Sequence, residues 1–431
     1  MPESKSKPEF RAAVGLSREW DARKAGREVA RDTLEKLGTD PDFFLLFSTI
    51  HYEKWGGFKE FLAGVWDVLP EGTPLIGGTV AGFIIPQGCF VRGATALAVS
   101  YPNMDVAVGI GRNTKRAPHL AAKQCAEMIK RGLRGSRYKN KFLIDVISGP
   151  TIPKLSFFNK KVIKSKILEN VIPILFHISE KILQEGVGRE EEILDELIKN
   201  LPEYSIIGGS TYDDNKMTRN YQFYSKYIFT NSIVALALCS ELVPSINTTH
   251  GLKETDAKLE ITGLRGGDRI IYEINNNPAA DEFLKALDWP REYLNEKAYL
   301  KTYFTPLGFK KNGVLFPEII GYFIGNSIIC GYKIKDNDLY LLSASGKSLM
   351  NSIDLNLEVF KDKEIFMAFG ICCAIMLQTL GSNVFHIQRK LLEVFGESPF
   401  LLLYGAGIDA YTPQKEGYHI NMAFNMGILH S

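Results

Sequence analysis

Three times along this chain an apolar run of strand length is followed by a second run that meets glycines. Residues 43–50 (FFLLFSTI) lead to 74–82 (PLIGGTVAG), 142–148 (FLIDVIS) to 204–210 (YSIIGGS), and 365–371 (IFMAFGI) to 401–407 (LLLYGAG). A further apolar run follows each pair, at 94–101, 232–239 and 420–429. Runs with so little polar alternation suit strands buried on both faces. In the first copy a helix over 58–69, with Val65 and Trp66 on its apolar stripe, stands between the paired runs. The leading residue and the glycines are 34 residues apart in the first copy, 66 in the second and 40 in the third. The second copy therefore carries an insertion of about 30 residues, and the pattern reads as an internal repeat of a strand–helix–strand–strand unit.

Between the second and third copies the pattern changes. Residues 259–274 (LEITGLRGGDRIIYEI) read as two strands about a Gly-Gly turn, and Asn277-Pro278 opens a helix over 279–287. Residues 321–345 read as a hairpin turning at 335–338. Near the start, Ser17 reads as the cap of an amphipathic helix ending at Gly38, with Ala22, Ala25, Val29 and Leu37 at helical spacing. Strands that neither alternate strictly with helices nor run in sequence predict an α/β fold of layered sandwiches with mixed β-sheets, not a doubly wound parallel sheet. We expect two domains, 11–138 and 139–431, after a disordered tail at 1–10.

Composition removes several classes. Apolar residues make up 45% and charged residues 23% of 431, ample for a core. A net charge of +2 excludes a globally basic nucleic-acid coat. Six cysteines with no CxxC pair fit thiols in a reducing compartment. The longest apolar run, 365–377, has 13 residues, short of the roughly 18 a membrane helix needs. With a polar start (MPESKSKPEF), this predicts a cytoplasmic protein without a membrane partner.

The candidate site residues cluster at the glycines. Gly77, Gly78 and Thr79, then Gly208, Gly209, Ser210 and Asp213, then Gly405, sit at strand ends, where backbone can approach a ligand closely. None forms a P-loop or dinucleotide fingerprint. The alternative is tight packing between sheets. Cys373 lies in the long apolar run, where an inert core thiol competes with a reactive one. His250, in TTHGL, either meets a ligand or completes a turn. His419 and Asn421, two apart, share one face. No histidine pair has metal spacing, so no metal is expected. Residues 130–166 hold eleven Lys/Arg against one acid, Asp145, but no RNA-binding motif accompanies them and nucleic acid is not expected as a partner.

The order of these short marks resembles the FIST family, a sensory input module with N-terminal and C-terminal domains. The marks are Gly77-Gly78-Thr79 with Ala81-Gly82, Gly208-Gly209-Ser210 before Asp213, His250-Gly251, Ile261-Thr262-Gly263, Pro278-Ala279, Cys373 and Asn421. They run through nearly the whole chain. Phe83, Met376 and Ala406 stand where the family pattern often carries Glu, Arg and Glu. The resemblance implies a small-molecule sensor in signal transduction, with an amino acid or related metabolite as ligand and no catalysis. A chain of this length has no room for an output domain, so a separate signalling protein is the expected partner. The lost charges imply a ligand unlike that of relatives that bind a zwitterion. The alternatives are a protein-interaction scaffold, a cysteine-dependent enzyme, and a haem-based gas sensor, since some relatives hold haem and His51 follows the first apolar run. Otherwise no cofactor is expected.

Overall fold

The computed structural model describes residues 9–152, 160–311 and 313–431. It is a mixed α/β protein, and its organising element is a four-strand core that occurs three times. In the first unit the order across the sheet is Arg11–Ser17, Ala94–Ser100, Phe43–Thr49, Leu75–Val80. In the second it is Met104–Arg112, Ser232–Ser240, Asn140–Ile147, Ser205–Ser210. In the third it is Val243–Thr249, Phe424–His430, Ile365–Cys373, Phe400–Gly405. Every unit pairs its leading apolar strand in parallel with its glycine-bearing strand and antiparallel with the later one. The expected repeat is therefore present, with one more strand at the edge than the sequence pattern announced.

Each glycine-bearing strand has a second neighbour from another unit. The hairpin Gly82–Ile85 and Gly88–Phe90 of the first unit pairs with Phe400–Gly405 of the third. The hairpin Gln222–Tyr224 and Tyr227–Phe229 of the second pairs with Leu75–Val80 of the first. The hairpin Ile408–Thr412 and Lys415–Ile420 of the third pairs with Ser205–Ser210 of the second. The exchange closes a ring of three.

Alternation along the strands explains why they are apolar throughout. Phe43, Leu45 and Phe47 face a central core shared with Phe142, Ile144 and Phe369. Phe44 and Leu46 face the other way, onto helices Ala22–Leu37 and Gly57–Trp66. The second sheet is covered by Pro118–Gly132 and Glu190–Asn200, the third by Gly346–Glu358 and Val384–Phe395. Three sheets thus enclose one core and carry helices outside.

A fourth sheet is inserted in the third unit, between Val243–Thr249 and the helix Gly346–Glu358. It runs Val314–Glu318, Leu307–Lys311, Asp338–Ser343, Lys253–Arg265, Ile270–Ile274, Ser327–Cys330, Ile320–Ile324, with Val162–Ile163 from the second unit's insertion at its edge.

Three expectations need correction. The helix Ala22–Leu37 is capped by Asp21, whose carboxylate accepts from Lys24 N at 2.9 Å, while Ser17 ends a strand. The 321–345 segment is not one hairpin. Ile320–Ile324 turns at Gly325, φ +61°, onto Ser327–Cys330, and Asp338–Ser343 pairs elsewhere. Glycine in the left-handed region favours that tighter reversal over the charged 335–338 loop. The closing run 420–429 is split: Ile420 ends a strand of the second sheet and Phe424–His430 belongs to the third.

The expected boundary at 138/139 does not coincide with a sheet boundary, since Met104–Arg112 pairs with Ser232–Ser240. Of the expected tail, residues 1–8 lie outside the described residues, and Phe10 packs against Tyr101 and Phe366 with ring centroids 5.5 and 5.3 Å away.

Candidate functional site

The glycine clusters do converge, but their amides are spent on one another. Ser210 N donates to Gly407 O at 3.0 Å and Ala406 N to Ser210 O at 3.1 Å. Thr79 N donates to Tyr221 O at 3.0 Å, and Thr79 O accepts from Tyr212 N at 2.8 Å. The glycines themselves allow close approach of backbone and carboxylate. A Cβ on Gly77 would lie 1.7 Å from Leu46 O, and one on Gly208 would lie 2.0 Å from Asp145 Oδ1.

Beside this junction lies a small, partly open pocket of about 90 Å³. It sits where strand ends of the second and third units meet the inserted sheet. Cys373, Ala406 and Asn421 come from the third unit, Tyr212 and Glu190 from the second, and Tyr332 from the inserted segment. Tyr299, Tyr303 and His419 complete the walls that matter to its chemistry. Of the expected site residues, the cavity is lined by Cys373 and Asn421. Ser210 reaches it indirectly, donating from Oγ to Glu190 Oε1 at 3.0 Å.

The other expected residues lie outside that lining. Gly77, Gly78, Thr79, Gly208, Gly209 and Gly405 hold the strand junction. Asp213 organises a turn, its carboxylate accepting from Lys216, Met217 and Thr218 amides at 2.8–2.9 Å. His250 is tied to the inserted sheet, with Nε2 3.1 Å from Leu315 O. His51 is bonded through Nδ1 to Thr49 Oγ1 at 2.6 Å, and burial, then the Arg92 charge, bring its pKa down to about 4.

A buried polar chain runs from the cavity wall into the second sheet. His419 Nδ1 lies 2.6 Å from Asp409 Oδ1, and Asp145 lies beside Asp409. Burial, then repulsion from Asp409, holds the Asp145 carboxyl well above the usual range, and burial raises Asp409 as well. With Asp409 Oδ1 accepting the Nδ1–H of His419, Nε2 is left a lone-pair acceptor. Burial keeps that imidazole neutral.

The Cys373 thiol is fully buried, which raises its pKa against the lowering effect of the Met422 and Ile375 backbone amides, and Sγ makes a weak 3.9 Å contact with Ala406 O. Cys373 has no basic side chain beside it among the described residues. Nor does any group of three or more His, Cys, Asp or Glu come together among them to hold a metal.

Behind Tyr332 sits Glu318, whose Oε1 accepts from Gly331 N at 2.5 Å and Tyr332 N at 3.3 Å. Burial outweighs those two bonds and pushes the carboxyl up to about 8, from an ordinary value of 4.5. The folded chain then holds a proton between pH 4.5 and 8 that the unfolded chain releases, so stability falls as pH rises through that window. Glu318→Gln is expected to flatten this slope, with a gain on the order of 5 kcal/mol at its upper end. Urea unfolding of both proteins from pH 5 to 8.5 measures it. Parallel curves would remove Glu318 as the cause.

Sequence reasoning reached Cys373, Asn421 and His419 but not Glu190, Tyr332 or the Asp409–Asp145 pair. One signal was available, since Asp145 interrupts the apolar FLIDVIS.

Ringed sheets around one core, with a small, largely apolar pocket at a unit junction, define a mixed α/β module. The FIST N domain matches residues 42–277, more than half the chain, and the chain belongs to the FIST family, sensory domains of signal transduction. The match runs well past the expected 11–138 domain. An uncharacterized protein of Methanocaldococcus jannaschii is 30% identical over 102 residues, 24% of this chain and 19% of that protein, so the chain spans about a fifth of its length. Two solved cyanuric acid hydrolases, one from A. caulinodans, align at 10% and 8% identity with TM-scores of 0.30 and 0.29. They cover 56% and 55% of this chain and 72% of each of theirs. Among the described residues no helix is long and apolar enough to cross a membrane.

Proposed function

We propose that this chain is a small-molecule sensor whose ligand, a compact amine without a free carboxylate, rests in the cavity beside Cys373 and Asn421. The observation that carries this reading is a small, mostly apolar pocket with a few polar atoms on its walls that lack protein partners. Tyr332 Oη is buried and unpaired, and neither His419 Nε2 nor the Asn421 amide has a bonding partner among the described residues. Buried polar atoms left so are costly unless something fills the space. About 90 Å³ suits a compact molecule or a few waters.

The walls also select. Among the described lining residues there is no lysine or arginine, while Glu190 and four tyrosines are there. That favours an amino group, held by a carboxylate and ring faces, over a free carboxylate. Met376, where the family pattern often has arginine, is buried against Cys372, which agrees with a ligand other than a zwitterion clamped by that side chain.

The test is native mass spectrometry of the protein as purified, then thermal shifts against amino acids, small amines and small carboxylates. A fitting amine at a hundred times its dissociation constant adds about 2.7 kcal/mol of stability. Glu190→Gln is expected to weaken the amine response tenfold or more, and Asn421→Ala likewise. An empty protein whose melting is unchanged by all three panels would end the proposal.

A second reading, an interaction module, has one observation behind it. Ile167, Val171, Ile174, Ile178 and Ile182 form an exposed apolar stripe along Lys166–Ile178 and the turn after it. Such a module would lose its partner on Ile174→Lys and show no thermal response to any small molecule.

A further inference from the structure

Topology gives the cavity a counterpart in the first unit. Cys373 ends the third unit's leading strand, and Ala406 follows its glycine-bearing one; in the first unit those places belong to Thr49 and Ala81. Thr49 and Ala81 line a groove of about 1040 Å³. The groove is open for a simple reason. The inserted sheet that roofs the third unit lies between its edge strand and first helix, and in the first unit that link is only residues 18–21. Trp20 stands there instead.

The groove's chemistry differs from the cavity's. Lys54, Arg92, Lys216 and Arg219 line it against two acids, Glu53 and Asp214. Arg219 pairs with Glu53 and Lys216 with Asp214, so both acids are neutralised. Arg92 and Lys54 have no ion-pair partner among the described residues. The Asp213 turn fixes the loop that presents Lys216. Arg92 lies over the Trp20 ring, 3.2 Å from its centroid, and Trp55 meets Trp20 edge-on at 5.1 Å. Trp55 is about half exposed and lines the groove.

We infer that this groove is a second binding site, for a small aromatic anion whose charge is taken by Arg92 and Lys54 and whose ring packs on Trp55. A guanidinium stacked on one ring keeps its fork free for a phosphate or carboxylate. A half-exposed indole offers the flat apolar face such a ligand needs. Strand ends are where α/β units take ligands, and the volume is at the upper end of small-molecule pockets. The inference does not rest on the amine reading of the cavity.

The probes are adenosine monophosphate and 4-hydroxybenzoate, titrated into the full chain by calorimetry and tryptophan fluorescence. Inorganic phosphate and adenosine separate charge from ring. At least one aromatic anion is expected to bind with saturable quenching, and phosphate and adenosine to bind at least tenfold more weakly. Preference between the two anions tells phosphate from carboxylate. Arg92→Gln with Lys54→Gln is expected to abolish binding; both side chains are exposed, so the fold stays intact. Trp55→Leu is expected to cost tenfold while leaving the response to cavity amines unchanged. Absence of heat and quenching up to about 5 mM of both anions overturns the inference. So does unchanged affinity in the double variant.

Discussion

Gly77→Ala is expected to remove at least about 4 kcal/mol of stability, a large share of what holds a domain of ordinary stability together. Gly77 stands opposite Leu46 in the parallel pair of Phe43–Thr49 and Leu75–Val80. An added methyl would lie 1.7 Å from Leu46 O and 2.6 Å from Leu46 C. Both atoms are backbone, so no rotamer change relieves the overlap and the two strands must separate. On its other side the same strand pairs with Gln222–Tyr224 of the second unit, so displacement spreads beyond one sheet. The urea midpoint measures the effect. Gly346→Ala is the control: it begins a helix, its nearest heavy atom is 4.0 Å away, and a change within about 0.5 kcal/mol or a slight gain is expected. Equal midpoint shifts in the two variants would refute the packing role of Gly77.

Arg269→Met is the second large effect, with an expected loss of about 3–5 kcal/mol. The guanidinium is 5% exposed. Its Nη2 reaches Glu191 Oε1 at 2.5 Å and Glu192 Oε1 at 3.4 Å, and Nη1 donates to Gly331 O at 2.6 Å. Removing it leaves the Glu191 carboxylate nearly buried without a countercharge and the Gly331 carbonyl without its donor. The loss is mainly the desolvation of what remains, so Arg269→Met with Glu191→Leu should recover more than half of it. Gly331 and Tyr332 line the cavity. The single variant should therefore also blunt the thermal response to amines. A single variant as stable as the parent would show that the ion pair contributes nothing.

The strands of the three cores were legible because they are buried on both faces. Phe43, Leu45 and Phe47 serve the centre and Phe44 and Leu46 the helices, so the run is unbroken and stands out. The hairpins after each glycine-bearing strand were not assigned. Periodicity announces a strand but says nothing of which unit supplies its partner, and Phe83 reads the same whether it pairs at home or, as it does, opposite Leu403. Ser17 misled for a related reason. It is a good cap by type, but its hydroxyl bonds Glu28 and its backbone is held by Ala94 in the sheet.

The site divides along the same line. Cys373 and Asn421 could be read because each belongs to a short pattern at a strand end. Glu190, Tyr332 and Arg269 could not, because 142 residues of chain separate Glu190 from Tyr332 and only the inserted sheet brings them to one wall. The glycines were expected to let backbone approach a ligand, and what approaches them in the structure is the protein's own backbone and Asp145.

The ring of exchanged hairpins has a consequence for how such a chain can be cut or copied. A solitary unit would present its glycine-bearing strand as a naked edge and project a hairpin with nothing to join. Three identical solitary units would satisfy each other around a circle, so the simplest forerunner of this architecture is a trimer of short chains. Genes encoding single segments should accordingly yield aggregates or trimers, never well-behaved monomers.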